Sequence, residues 1–122
     1  MLHMENVSSS FDSSSKTLTF VFRGRLNSDI CTKNDSDIES AIELILKENP
    51  PQTVSIIFDI SQVDYVSSLF LRTVIKSAQE VPKGKFKLTG ANQFVRRMIQ
   101  TSGLEIFISE PPDTAKSSPP NP

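Results

Sequence analysis

The feature that most constrains this chain is an alternation: short β-type apolar segments are separated by longer stretches with helical apolar spacing. In "KTLTFVFRG", Leu18, Phe20 and Phe22 alternate with Thr17, Thr19 and Val21, the period of two expected of a strand whose faces differ. The strand is expected to end at Gly24. "TVSIIFDIS" is a β-branched run ending in Asp59, an interior strand covered on at least one face, and "SQVDYV" after it reads as a turn. "KFKLT" and "LEIFIS" read as two further strands. Between the first two, "SDICTKND" is polar enough to be loop, and "NDSDIESAIELILKENPP" is a helix. Its Ser36 and Glu39 form a capping-box pair, Ile38, Ala41, Ile42, Ile45 and Leu46 share a face, and Pro50-Pro51 forbids continuation. A second helix from Ser68 to about Glu80 would bury Leu71, Val74, Ile75 and Ala78. A third, "NQFVRRMIQTSG", has Asn92 as its cap and Gly103 past its end. Strand and helix in alternation with right-handed crossovers give an α/β fold with a mainly parallel four- to five-stranded sheet flanked by helices.

The 122 residues suffice for one core. The expected domain spans residues 15–109. Residues 1–14 are weakly patterned, with "HMENVSSSF" as a possible edge strand, and five of the eight prolines crowd into the last twelve residues, so 110–122 are expected to be disordered. The single cysteine, Cys31, cannot form an intramolecular disulfide, and no stretch resembles a signal peptide or membrane span, so a soluble, cytoplasmic protein without membrane insertion is expected. With 13 basic and 14 acidic residues the charge is −1, too little positive field to gather nucleic acid. Lys83, Lys85, Lys87, Arg96 and Arg97 are read as a solvated strand edge and helix face.

Catalytic equipment is missing. A serine nucleophile needs a base within reach, yet the only histidine is His3 in the unpatterned N-terminus, and no G-x-S-x-G turn raises Ser67 or Ser68. One His and one Cys do not make a zinc site, and neither a Walker loop nor G-x-G-x-x-G occurs. Asp59 could be a phosphoacceptor only beside a hard cation, but the first strand ends "FRGRLN" without the acidic pair such a cation needs. Asp59 or Asp64 is expected to bond nearby backbone instead. No enzyme, metal or cofactor is therefore expected; a small phosphoryl-handling or hydrolytic enzyme using Asp59 and a serine has little support.

The adjacent hydroxyls Ser67 and Ser68 stand where the second helix begins. Only one can be the N-cap, so the other calls for a different role. Helical spacing puts Leu69 on a face with Thr73, Lys76 and Glu80, an apolar side chain toward water beside hydroxyls, as at a contact surface.

The run "FDISQVDYVSSLFL" resembles the signature of the STAS domain, the fold of bacterial anti-sigma factor antagonists, in which a strand ending in Asp or Asn is followed at this spacing by Asp-Ser-Ser-Gly-Leu or Asp-Ser-Thr-Gly-Leu. "VRRMIQTSGL" is similar to the family's later helix and its Ser-Gly-Leu ending, and "FRGRLN" stands in the place of Gly-Glu-Leu-Asp. The resemblance covers residues 15 to 108. Carried over from Asp59 without a gap, it puts the family's phosphoacceptor serine on Ser68, its Asp on Ser67, the following hydroxyl on Leu69, the Gly on Phe70 and the Leu on Leu71. Sliding back by one would put the acceptor on Ser67 and its Asp on Val66, at the expense of the Asp59 and Leu71 matches.

The resemblance implies a non-enzymatic domain that binds an ATPase-fold partner, both anti-sigma factor and serine kinase. That partner phosphorylates the domain at Ser68, and a serine phosphatase resets it. The implied partner-facing residues are Ser67, Ser68, Leu69 and Phe70, with Arg25 and Asn27 from the loop after Gly24. Ser67 and Phe70 depart from the family pattern at the positions closest to the acceptor, where the Phe70 ring could obstruct a kinase. The long segment after Gly24 would reshape the partner-facing loop. The alternative keeps the fold without the switch: a scaffold or transporter-associated subunit with Leu69 and Phe70 as permanent contacts.

Overall fold

The structure, a computed structural model, describes residues 6–109. The expectations for His3 and for the Pro-rich segment 110–122 lie outside those residues. An edge strand β1 (Val7–Asp12) pairs antiparallel with β2 (Thr17–Leu26), as "HMENVSSSF" suggested. In the turn between them, the Asp12 carboxylate accepts hydrogen bonds from the Ser14 hydroxyl at 2.7 Å and the Ser14 N–H at 2.9 Å, which hold its pKa below the usual carboxylate value. β3 (Ser55–Val66), β4 (Phe86–Thr89) and β5 (Ile108–Ser109) then add in parallel, so the sheet order is the chain order. The crossovers are α1 (Ser28–Glu48), α2 (Ser68–Ala78) and α3 (Gln93–Thr101).

A parallel sheet that grows in one direction through right-handed crossovers receives every helix on the same side. The burial pattern agrees. Leu18, Phe20, Phe22, Ile56, Phe58, Ile60, Phe86 and Leu88 are buried, whereas their alternates Thr17, Thr19, Val21, Ile57 and Asp59 are half-buried. The helices therefore cover one face rather than both. That covered face is lined with aromatic rings: Phe58 lies 4.9 Å from both Phe22 and Phe86, and Phe86 lies 5.4 Å from Phe107, at the tilted or edge-on angles aromatic pairs prefer.

Several local expectations are corrected. β2 does not end at Gly24 but continues to Leu26, and "SQVDYV" is not a turn but the second half of β3. The pairing passes through two irregularities, Val21↔Asp59 to Arg23↔Gln62 and Gly24↔Val63 to Arg25↔Tyr65, at each of which β3 spends one extra residue. Each such bulge breaks the period of two, so the buried positions Ile60, Val63 and Val66 are spaced by three and no longer look like a strand. Gly24, with φ +78, allows β2 to follow this twist.

"SDICTKND" is not a loop. It forms the first two turns of α1, whose buried stripe is Cys31, Asn34, Ile38, Ala41 and Ile42. Ser36 and Glu39 lie inside the helix, and Asn27 caps it. "LEIFIS" becomes a 3-10 turn at Glu105–Phe107 followed by the two residues of β5. The buried stripe of α2 is Phe70, Thr73, Val74 and Ser77; Ile75 is 41% exposed, and Leu71 and Ala78 are half-buried. The expected stripe was thus rotated by about one residue.

Candidate functional site

The two long strands stop together. Leu26 pairs with Val66, and the next N–H, that of Ser67, donates to the Leu26 carbonyl at 3.0 Å. Helices α1 and α2 therefore start side by side at the carboxyl end of the sheet. Asn27 Oδ1 accepts the Ile30 N–H at 2.9 Å and caps α1, while Ser67 Oγ accepts the Phe70 N–H at 3.4 Å and caps α2. Cys31 ties the starts to each other, its Sγ 3.6 Å from both the Leu26 carbonyl and the Ser67 hydroxyl. Burial pushes the Cys31 thiol pKa up, the Ser67 hydroxyl works against that shift, and the Asp35 charge adds to it.

These contacts separate the two serines. Ser67 is only 7% exposed, its hydroxyl held between the first turn of α2 and Cys31, whereas Ser68, the first residue of α2, is exposed. Ser67 is the cap, and as a docking hydroxyl it is corrected: its oxygen faces inward. Phe70 is corrected for the same reason. It is 1% exposed, with its ring 5.2 Å from Phe22 and 6.0 Å from Phe58, so it fills the core where a surface contact was expected.

Leu69 is half-buried rather than turned to water, since its helix face meets α1. On that face Thr73 Oγ1 donates to Asp35 at 3.1 Å, and Lys76 Nζ lies 2.9 Å from Asp35 and 4.0 Å from Glu39. The hydrogen bond to Asp35, then its charge, raises the Lys76 ammonium above the usual lysine value. Leu69 lines a shallow groove along this seam together with Cys31, Thr32, Asp35, Arg72, Thr73 and Lys76. Across the sheet end, Arg25 is exposed and its guanidinium sits 4.6 Å over the Tyr65 ring, a pairing set by strand register.

The structure thus brings Arg25 and Asn27, from the end of β2, to the same edge as Ser67, Ser68 and Leu69. The longer loop expected after Gly24 is strand and helix instead. Sequence reasoning missed Tyr65 and Arg72. Tyr65 could not be found without the bulged register, but Arg72 is legible as the residue one helical turn after Ser68.

The Asp59 carboxylate accepts the Ser61 N–H at 3.0 Å and the Ser61 hydroxyl at 2.7 Å, the local backbone role expected of it. Among the described residues no group of three or more His, Cys, Asp or Glu side chains could hold a metal ion, and no helix is long and apolar enough to cross a membrane.

The sequence model of the STAS domain matches residues 18–117. The chain belongs to the STAS domain family. No curated protein matches its sequence. Among solved structures, the STAS fold seen here is similar to the anti-sigma factor antagonist SpoIIAA in its unphosphorylated form, with 18% identity, TM-score 0.69, and coverage of 91% of this chain and 92% of that one. The phosphorylated form of the Bacillus cell fate determinant SpoIIAA gives 17% identity, TM-score 0.61, and coverage of 91% and 96%. An anti-sigma factor antagonist from Mycobacterium paratuberculosis gives 18% identity, TM-score 0.62, and coverage of 95% and 97%. At these identities the likeness establishes a common fold, an α/β domain with a mostly parallel five-stranded sheet and three helices.

Proposed function

We propose that this STAS domain is a non-enzymatic anti-sigma factor antagonist of a bacterial cytoplasm. In this reading it binds an ATPase-fold anti-sigma factor that is also a serine kinase, is phosphorylated by it at Ser68, and is reset by a serine phosphatase. The observation that carries the reading is the exposure of Ser68 at the first position of α2, next to a buried Ser67 that already supplies the cap. Among the described residues the Ser68 hydroxyl makes no hydrogen bond, which supports its modification without loss to the fold. Burial of Phe70 also takes its ring out of a kinase's path, although the ring replaces the family's glycine.

Phosphate would add about −1.5 to −2 charges at pH 7 beside the N-terminal end of a helix dipole, which the domain tolerates. A partner closing over Ser68 and Leu69 would instead have to desolvate that charge, at a cost of several kcal/mol of binding. The same edge presents Arg25 and Asn27 to the partner.

The test is to incubate the tagged domain in extract of its native cell with and without ATP, capture it, and measure partner identity and intact mass. The expected result is an ATPase-fold protein on the unmodified domain, and a mass gain of one phosphate with ATP that Ser68→Ala abolishes. A stoichiometric complex indifferent to ATP and to Ser68→Ala would favour the scaffold reading instead.

A further inference from the structure

We infer that Arg72 is the positioning residue for a phosphate on Ser68, so that modification both adds an anion and withdraws a free cation from the docking edge. The inference rests on the proposed phosphorylation of Ser68. Ser68 and Arg72 are four residues apart on α2 and both exposed, and helical side chains lean toward the N-terminus, so a guanidinium at position 72 is within reach of a group carried on Ser68.

The other cations nearby are engaged. Lys76 is paired with Asp35 and Glu39, Lys33 with Asp29, and Arg25 lies over Tyr65. Arg72 makes no hydrogen bond or ion pair among the described residues, and the charge of Lys76 on the next turn repels it. A phosphate on Ser68 would therefore supply the missing counter-charge, one turn before Arg72. Guanidinium binds phosphate through two parallel N–H bonds, which fixes its direction as well as its charge. The helix end alone would favour any anion; Arg72 makes the contact specific to a group with several acceptor oxygens.

The experiment places phosphoserine at position 68 of the full chain during translation, so that no kinase or partner is needed, and follows the phosphate by ³¹P NMR across its second ionisation near pH 6. The remaining charged groups around this end, Asp35 and Glu39 on α1, the Asp29–Lys33 pair, and Arg25 and Asp64 on the strands, are common to all variants, so the reading is the difference between variants. The midpoint in the parent chain should lie below that of Arg72→Gln by a few tenths of a pH unit, about a twofold change in proton affinity. Arg72→Lys should recover part of the difference, and about 1 M salt should erase it.

Equal midpoints in the parent chain and Arg72→Gln, with both unmodified proteins melting alike, would overturn the inference. The same is true of Arg72→Lys if it behaves as Arg72→Gln at low salt. Either result would leave capture of a kinase untouched, and failed capture would leave the midpoints to be read on their own.

Discussion

Ser67 and Ser68 are chemically identical neighbours whose surroundings give them opposite tasks. The Ser67 oxygen accepts a backbone N–H and meets the Cys31 thiol in a buried setting, so Ser67→Ala should cost about 1 kcal/mol of stability, the usual value of a helix cap. Ser68→Ala should change stability by less than about 0.5 kcal/mol, as surface substitutions do. Urea denaturation of the two variants checks the ranking, and the reverse order would contradict the assignment of cap and free hydroxyl. Capping preference announced that one of the pair would close the helix, but it could not say which. That depended on Leu26 and Cys31, which come from another part of the chain.

Among the elements, α1 decides the shape of the candidate edge. Its 21 residues start at Ser28, directly after Asn27, and this early start sets the first turn of α1 beside the first turn of α2. The start is hard to read because the stripe there consists of Cys31 and Asn34 rather than aliphatic residues, while Ser36 and Glu39 imitate a capping box inside the helix. Asn27→Ala should cost about 1 kcal/mol and should speed amide exchange at Ile30 and Cys31 while leaving α3 unaffected. Unchanged exchange at Ile30 would mean that Asn27 does not hold the turn. The Asp35–Lys76 pair along the seam is only half-buried, so solvent screens it and it orients the two helices more than it stabilises them. The period that sequence reasoning assigned to α2 counted apolar residues alone. Packing against α1 instead buries Thr73 and Ser77, whose small side chains let the helices approach.

At the scale of the whole molecule, the sheet has one packed face and one half-open face. Thr19→Lys on the open face should shift stability by less than about 0.5 kcal/mol. Phe20→Ala, its neighbour on the packed face, should cost about 3–5 kcal/mol, and chemical denaturation of the pair tests whether the helices really lie on one side. Apolar period and chain order alone were enough to specify an α/β domain with parallel strands, because both periods are local properties of the backbone. The caps at Asn92 and the stop at Gly103 were legible for the same reason. Where β3 bulges, how early α1 begins, and which of Ser67, Ser68, Leu69 and Phe70 faces outward were decided only by the assembled structure. The bulges and the outward-facing residues depend on neighbours distant in sequence, and the start of α1, though capped locally by Asn27, is hidden because Cys31 and Asn34 show as core only once packed. Burial is a property of the packed whole rather than of any segment read alone.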